Sequence, residues 1–257
     1  MNNIPKKNIR IIPLLNIKGS NVVKPVHTEA LRVVGNPKVL AEKYYNDGAD
    51  EIIYLDIVAS LYQRNLDFGL LRNVTENIFI PVTVGGGIRS IQDINNALRA
   101  GADKVAINTH AIKNPEFLKQ AVLEFGSQCI VAYIEAKRQP NGLYEAYTDG
   151  GREHSGLDAI QWAKKVLELG AGEILISSID QDGTRLGYDI GLIRQINNFA
   201  KVSMIAHGGV GKLEDILDAI LSGVDAISAA SVFHYGDCAI SQIKSFLSKK
   251  DIQVRII

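Results

Sequence analysis

The 257-residue chain alternates between two hydrophobic patterns along its whole length. Short continuous apolar runs, typical of parallel strands that are buried on both faces, alternate with longer segments in which apolar positions recur at helical spacing. The apolar runs predict eight strands, over residues 11–15, 51–56, 81–84, 104–107, 130–135, 173–177, 202–206 and 226–228. This alternation predicts a parallel sheet that is either closed into a barrel or open and doubly wound.

Three segments between these strands predict amphipathic helices, over residues 114–125, 155–170 and 213–223. The first has Asn114 in the N-cap position ahead of Pro115, which suits the first helical turn. In the second, Ser155 and Asp158 have the spacing of a capping box.

The two halves of the chain resemble each other at a constant offset of 122 positions. The matching glycines are Gly48 and Gly170, Gly86 and Gly208, and Gly101 and Gly223. Two similar halves of four strand-helix units favour a closed barrel, because an open sheet would need a reversal of strand order between them. We therefore predict an α/β fold, a single (β/α)₈ TIM barrel with a two-half-barrel internal repeat, over residues 1–257.

One long excursion, residues 136–154, departs from this alternation. It contains Asn141 followed by Gly142, a dipeptide that is a strong signal for a two-residue hairpin turn. We expect a β-hairpin above the fifth predicted strand.

Composition excludes several classes of partner. The 28 basic residues balance the 28 acidic ones, which predicts neither a nucleic-acid nor a membrane partner. Cys129 and Cys238 lie far apart, so we expect free thiols, with no disulfide framework, bound metal or other cofactor. The N-terminal residues lack the apolar core of a signal peptide, and no apolar stretch approaches the ~18 residues of a membrane span. A cytoplasmic location follows as an expectation.

Polar residues follow the apolar strands where each strand ends. Asn16, Asp56 and Glu135 end the first, second and fifth strands, and the sixth runs into the polar segment 177–184. Active sites of such barrels lie at these carboxyl ends, so four polar ends on one rim indicate a site. The alternative is that each residue only caps a strand or the helix that follows.

Two glycine clusters, residues 85–89 and 207–211, follow the third and seventh strands. Glycine lets backbone N–H groups approach an anion closely, and the strands that follow end in further donors. The predicted phosphate-binding residues are Gly86, Gly87, Asn108, Thr109, Gly183, Gly208, Gly209, Ala230 and Ser231. Two anion sites on opposite sides of the mouth would suit a small-molecule ligand with a phosphate at each end. Alternatively, the glycines only form tight turns.

Several motifs resemble the HisF family, the cyclase subunit of imidazole glycerol phosphate synthase. They occupy residues 84–89, 101–105, 125–130, 172–175, 179–184 and 229–234. The resemblance implies a (β/α)₈ barrel that receives ammonia from a glutaminase subunit, HisH, docked at the N-terminal face. In the family's cyclases that ammonia reacts with a bis-phosphorylated ribulosyl intermediate at the opposite face.

The chain departs from this family at two catalytic positions. The resemblance implies aspartates as general acid and base where this sequence has Asn16 and Glu135. An amide cannot act as a base near neutral pH, and losing such a group typically costs ~10²–10⁴ in rate, so we expect poor cyclase activity. Lys24, Asp56 and Asp182 are expected to complete the catalytic set.

The resemblance also places a charged ammonia gate at the opposite end of the barrel. The matching residues are Arg10, Glu51, Lys104 and Glu173. All four charges match the family, which suggests that ammonia still enters. The alternative is a purely structural cluster of ion pairs, because buried charges need partners in any case.

These observations favour a HisF-like subunit that channels ammonia for amidation of a surface-polysaccharide sugar. The changes at Asn16 and Glu135 are similar to those of the HisF-like proteins WbuZ and AglZ, which implies a HisH-like glutaminase and a sugar amidotransferase as partners. His207 would reshape the pocket or simply fill it. The alternatives are an authentic cyclase of histidine biosynthesis, a non-catalytic scaffold that activates a glutaminase, and an isomerase like HisA.

Overall fold

The computed structural model describes residues 7–26 and 29–256. These residues contain twelve strands: β1 (Arg10–Lys18), β2 (Asn21–Val26), β3 (Glu29–Gly35), β4 (Ile52–Asp56), β5 (Val82–Gly85), β6 (Lys104–Ile107), β7 (Ile130–Arg138), β8 (Tyr144–Thr148), β9 (Glu153–Asp158), β10 (Glu173–Ser178), β11 (Ser203–His207) and β12 (Ala226–Ala229). The same residues contain ten α-helices: α1 (Pro37–Asn46), α2 (Phe68–Thr75), α3 (Ile91–Arg99), α4 (Thr109–Lys113), α5 (Pro115–Phe125), α6 (Ala159–Glu168), α7 (Ile190–Asn197), α8 (Leu213–Leu221), α9 (Ser231–His234) and α10 (Ile240–Ser248).

Eight of the strands form a closed parallel barrel. Their order is β10, β11, β12, β1, β4, β5, β6 and β7, and β7 pairs back with β10. Every neighbouring pair in this ring is parallel. The predicted (β/α)₈ barrel is confirmed, and the open doubly wound alternative is wrong.

Two barrel strands, β1 and β7, run three residues beyond their predicted ends because each continues into an antiparallel hairpin. The hairpin of β7 and β8 turns at Asn141 and Gly142, as predicted, with Gly142 at φ +84°. The hairpin of β2 and β3 was not predicted, because Pro25 weakens the strand signal. Residues 21–35 shifted by 122 fall on the segment of β8 and β9, so the repeat includes both hairpins.

The repeat extends to individual hydrogen bonds. Helices α3 and α8 lie 122 positions apart, and in each an aspartate, Asp93 or Asp215, accepts bonds from the backbone N–H groups three and four positions earlier. Asp103 and Asp225 each accept a 2.8 Å bond from a backbone N–H near the start of the preceding barrel strand. Equivalent residues therefore perform equivalent structural tasks in the two halves.

Two predicted helix starts need correction. Helix α6 begins at Ala159, because residues 153–158 form β9 and the Ser155 hydroxyl donates to the Ala146 carbonyl oxygen. Asp158 alone caps α6, accepting from the backbone N–H groups of its second and third residues, so the capping box is wrong. Asn114 ends α4 and precedes α5, but its side chain makes no capping bond to α5.

An apolar cluster fills the middle of the barrel. Its members are Ile12, Leu14, Ile53, Leu55, Ala106, Val131, Leu175, Ile205 and Ala226. Because side chains alternate along a strand, β1 directs Arg10, Ile12, Leu14 and Asn16 inward in that order. The cluster thus separates a charged layer at the N-terminal end from a polar layer at the mouth. No helix within the described ranges is long and apolar enough to cross a membrane.

Candidate functional site

Two neighbouring cavities open at the carboxyl ends of the barrel strands. The first encloses about 110 Å³ and is lined by Asp56, Gly86, Gly87, Asn108 and Thr109, among others. The second encloses about 40 Å³ and is lined by Asn16, Asp182 and His207, among others. Both are lined by Ile57, Tyr133, Glu135 and Gly150, so the two cavities adjoin each other.

Glu135 lies where the two cavities meet. Its carboxylate accepts a 2.6 Å bond from the Asn108 amide, a 3.2 Å bond from the Tyr133 hydroxyl and a bond from the Gly151 backbone N–H. Burial raises the pKa of Glu135 to about 7, and these donors limit the rise. A carboxyl with such a pKa can take up and release a proton near neutral pH.

Asn16 lines the second cavity with Glu135 and is 6% exposed. The structure therefore brings the two substituted positions to one pocket, as the sequence predicted. An amide offers hydrogen bonds there but no titratable proton, so the two residues are chemically unequal.

Lys24 and Asp182 form a buried ion pair beside this cavity. The Lys24 ammonium lies 2.8 and 3.0 Å from the two carboxylate oxygens, which commits its charge to Asp182. His207 lies 3.8 Å from Asp182 through Nε2 and 3.1 Å from the Ser228 hydroxyl through Nδ1. Burial lowers the pKa of His207 to about 4 despite the Asp182 charge, so its imidazole is neutral at neutral pH.

Asp56 is engaged by Arg64, a residue that the sequence analysis did not single out. The guanidinium spans both carboxylate oxygens at 2.7 and 2.9 Å, and it opposes the rise in the pKa of Asp56 that burial causes. A Cβ atom at Gly86 would lie 2.1 Å from the Asp56 carbonyl oxygen, and one at Gly87 would lie 2.7 Å from that of Arg64. The pair therefore supports the loop against which the first glycine cluster packs. In the sequence, the only signal of this ion pair is an arginine eight positions after Asp56.

The predicted residues of the first anion site come together in the first cavity. Gly86 and Gly87 adopt φ values of +91° and +72°, and Asn108 and Thr109 lie beside them. Arg89 and Lys113 also line this cavity and add positive charge, with Lys113 lying 3.4 Å from Asp149 and with Asp56 lining the same cavity. Backbone donors, hydroxyl and cations in one cavity suit an anion.

The second predicted anion site has a different setting. Gly208 and Gly209 repeat the positive φ values, at +95° and +104°. Gly209 packs against the loop after β10, where the Gly187 N–H donates to the Gly209 carbonyl oxygen at 2.8 Å. Within the described part of the chain, Gly183, Gly208, Gly209, Ala230 and Ser231 line neither the first nor the second cavity. This site stays a prediction.

The four charged residues predicted at the N-terminal end form a closed ring of ion pairs. Glu51 lies 2.6 Å from Arg10 and 2.7 Å from Lys104, and Glu173 contacts the same two cations, Lys104 at 2.6 Å. Burial would raise the pKa of Glu173, but the charges of Arg10 and Lys104 lower it. Each of the four residues contacts two residues of opposite charge, so the ring is equally consistent with a purely structural role.

Comparisons with known proteins agree with this architecture. The family described as "Histidine biosynthesis protein" matches residues 10–239, a range that contains the ring and both cavities. The chain is also 55% identical to a protein of Legionella pneumophila named "Imidazole glycerol phosphate synthase subunit HisF". The match covers 208 residues, 81% of this chain and 98% of that relative.

Proposed function

Because the chain belongs to the histidine biosynthesis protein family, as a HisF family member, we propose that it is the ammonia-using cyclase subunit of an imidazole glycerol phosphate synthase. The observation that carries this proposal is Glu135, a buried carboxyl with a pKa of about 7 in the cavity that Asn16 also lines. The name of the Legionella relative supports this function over the sugar amidation that the sequence analysis preferred.

The proposed partner is a HisH-type glutaminase at the N-terminal face. Ammonia would enter through the ring of Arg10, Glu51, Lys104 and Glu173 and cross the apolar cluster toward the mouth. A neutral ammonia molecule crosses such an interior at far lower cost than ammonium, because an unpaired charge is expensive to bury. The ring would therefore have to open and exclude the charged form.

At the mouth, the proposed substrate is a phosphorylated ribulosyl compound. The first cavity supports binding of one phosphate through Gly86, Gly87, Arg89 and Lys113. Glu135 is then the group that moves protons near neutral pH, while Asn16 only orients the substrate. A single titratable carboxyl would then carry out the proton transfers for which the family resemblance implies two aspartates.

A second candidate function is ammonia delivery for amidation of a sugar, with a sugar amidotransferase as a further partner. Asn16 favours it, because losing a general acid or base typically costs ~10²–10⁴ in cyclisation rate.

A cyclase assay with saturating ammonium and the ribulosyl bisphosphate separates these candidates. We expect the wild type to turn over, at a rate that rises with pH through about 7. Glu135→Gln should lower the rate by ~10²–10⁴, and Asn16→Asp should raise it. Glu145→Gln, which removes a carboxylate from β8 outside the cavities, is the matched control. A wild type that binds phosphate but does not turn over would favour sugar amidation. A wild type that neither turns over nor binds phosphate would contradict both candidate functions.

A second assay tests the ring in the complex with its glutaminase. We expect Lys104→Met to impair glutamine-dependent turnover more than ammonium-dependent turnover, because ammonium can reach the mouth from solvent. If the chain were a non-catalytic scaffold, the wild type and Lys104→Met would stimulate glutamine hydrolysis equally, and neither would cyclise the ribulosyl bisphosphate.

A further inference from the structure

His207 uses one ring nitrogen within the protein and presents the other to the second cavity. Its Nδ1 lies 3.1 Å from the Ser228 hydroxyl oxygen. Burial lowers the pKa of His207 to about 4, and a backbone hydrogen bond with Ser228 opposes this fall. Only a carbonyl oxygen that accepts from the ring favours its charged form, so the neutral ring carries its proton on Nδ1. Nε2 is therefore an acceptor.

The acceptor Nε2 faces the second cavity together with a carboxylate oxygen. Asp182 Oδ1 lies 3.8 Å from Nε2, which is too far for a direct hydrogen bond. Nε2 is not among the described side-chain atoms that are fully enclosed without a partner, so it keeps surface that a small molecule can reach. The spacing of the two acceptors allows one small molecule with two donor hydrogens to bridge them.

We propose that His207 Nε2 and Asp182 Oδ1 hold an uncharged ammonia molecule by accepting hydrogen bonds from two of its N–H groups. The inference rests on the proposed function and assigns its nitrogen donor to the second cavity. His207 then has a binding role, beyond reshaping or filling the pocket.

The position and the size of the second cavity both suit ammonia. Ile205 precedes His207 on the inward face of β11, and it belongs to the apolar cluster. Leu14 has the same place before Asn16 on β1. A molecule that crosses the cluster from the ring would therefore arrive in this cavity. It encloses about 40 Å³, and a molecule of the size of water needs roughly 10–15 Å³ of such space.

The charges around this cavity favour ammonia over ammonium. The Lys24 ammonium already lies 2.8 Å from Asp182 Oδ1, and a second cation on that oxygen would face it. Glu135 and Arg152 also line the cavity and carry opposite charges, so together they do not favour a cation. Because the pKa of His207 is about 4, its Nε2 stays an acceptor near neutral pH.

Steady-state kinetics of the cyclase with ammonium as the nitrogen donor test the proposal. We expect His207→Leu, which removes the acceptor, to raise the KM for ammonium about fivefold, as the loss of one neutral hydrogen bond allows. The KM for the ribulosyl bisphosphate should not change. His207→Gln, whose amide oxygen can accept, should recover most of the loss. His234→Leu is the matched control, because the described part of His234 lines neither cavity, and it should leave the KM for ammonium unchanged.

The pH dependence of the same KM identifies the form that binds. If the cavity takes ammonia, the KM expressed as total ammonium falls as pH rises toward the pKa of ammonium, whereas the KM expressed as free ammonia stays constant. A KM for total ammonium that does not change with pH would show that the cation binds, and it would overturn the proposal.

Three further results would overturn the proposal. An unchanged KM for ammonium in His207→Leu would mean that Nε2 does not hold the nitrogen donor, and the proposed function would stand. A raised KM for the ribulosyl bisphosphate alone would assign Nε2 to a group of that substrate. Equal losses in His207→Leu and His207→Gln would give the ring only a packing role. If the wild type does not turn over at saturating ammonium, the proposed function and this inference fail together.

Discussion

The ammonium group of Lys24 lies 2.8 Å from Asp182 Oδ1 and 3.0 Å from Oδ2, where both residues are more than nine-tenths buried. This ion pair joins β2 of the first hairpin to the loop that follows β10. Because a buried charge without its partner is costly, the pair ties together two segments that are 158 positions apart.

Replacing one partner of this pair should destabilise the fold. We expect Lys24→Met to lower the free energy of unfolding by about 3–5 kcal/mol, because Asp182 is left as an uncompensated buried charge. The double variant Lys24→Met, Asp182→Leu should regain part of the loss. Urea denaturation of the three proteins measures both effects, and a single-variant loss under about 1 kcal/mol would contradict the prediction.

Glu135 should make stability fall as pH rises from about 4.5 to about 7. Burial raises its pKa from 4.5 to about 7, so across this window the unfolded chain has released a proton that the native state still holds. The stabilising contribution is complete below 4.5 and lost above 7. A shift of this size corresponds to about 3 kcal/mol.

The Glu135→Gln variant isolates this contribution. We expect its stability relative to wild type to increase by about 3 kcal/mol between pH 4.5 and pH 7.5, since the neutral amide does not titrate. Denaturation curves at several pH values report the difference. A constant difference would mean that Glu135 titrates at its ordinary value in the native state.

Glu173 should have the opposite pH dependence. Arg10 and Lys104 lower its pKa, so its stabilising contribution is present above the unfolded value and lost as pH falls through the lowered one. We expect Glu173→Gln to cost about 2 kcal/mol at pH 7, as the loss of hydrogen bonds between charged groups does, and less in acid. Glu168→Gln is the matched control, because Glu168 and its partner Lys165 are both exposed, and it should cost less than about 0.5 kcal/mol. Equal losses at pH 7 would argue against a stabilising ring.

Alanine substitution distinguishes two uses of glycine. Gly86 and Gly142 both have positive φ values, +91° and +84°, but only Gly86 faces backbone at 2.1 Å. We expect Gly142→Ala to cost about 1 kcal/mol from conformation alone. Gly86→Ala should cost at least twice as much, because the Asp56 strand end must move. Thermal unfolding measures the loss of stability in each variant. Similar losses would show that the end of the Asp56 strand moves at little cost.

Much of the candidate site follows from where strands end. Asn16, Asp56 and Glu135 come directly after apolar runs, and parallel strands in a closed barrel bring such ends to one rim. The role of Arg64 does not follow in this way, because an arginine in a loop can reach several acceptors. The second anion site shows the same limit, since the packing of the loop after β10 on Gly209 depends on the fold of both segments.

The sequence by itself determined the order of strands and helices, the half-barrel repeat and the charges at each end of the barrel. Periods of 2 and 3.6 and the 122-position offset encode these features locally. Only the tertiary structure decided which polar atoms meet: that Lys24 reaches Asp182, that Arg64 engages Asp56, and that Asn108 turns its nitrogen to Glu135. Such contacts depend on the register of neighbouring strands and on side-chain rotamers, which a linear pattern of apolar and polar positions does not specify.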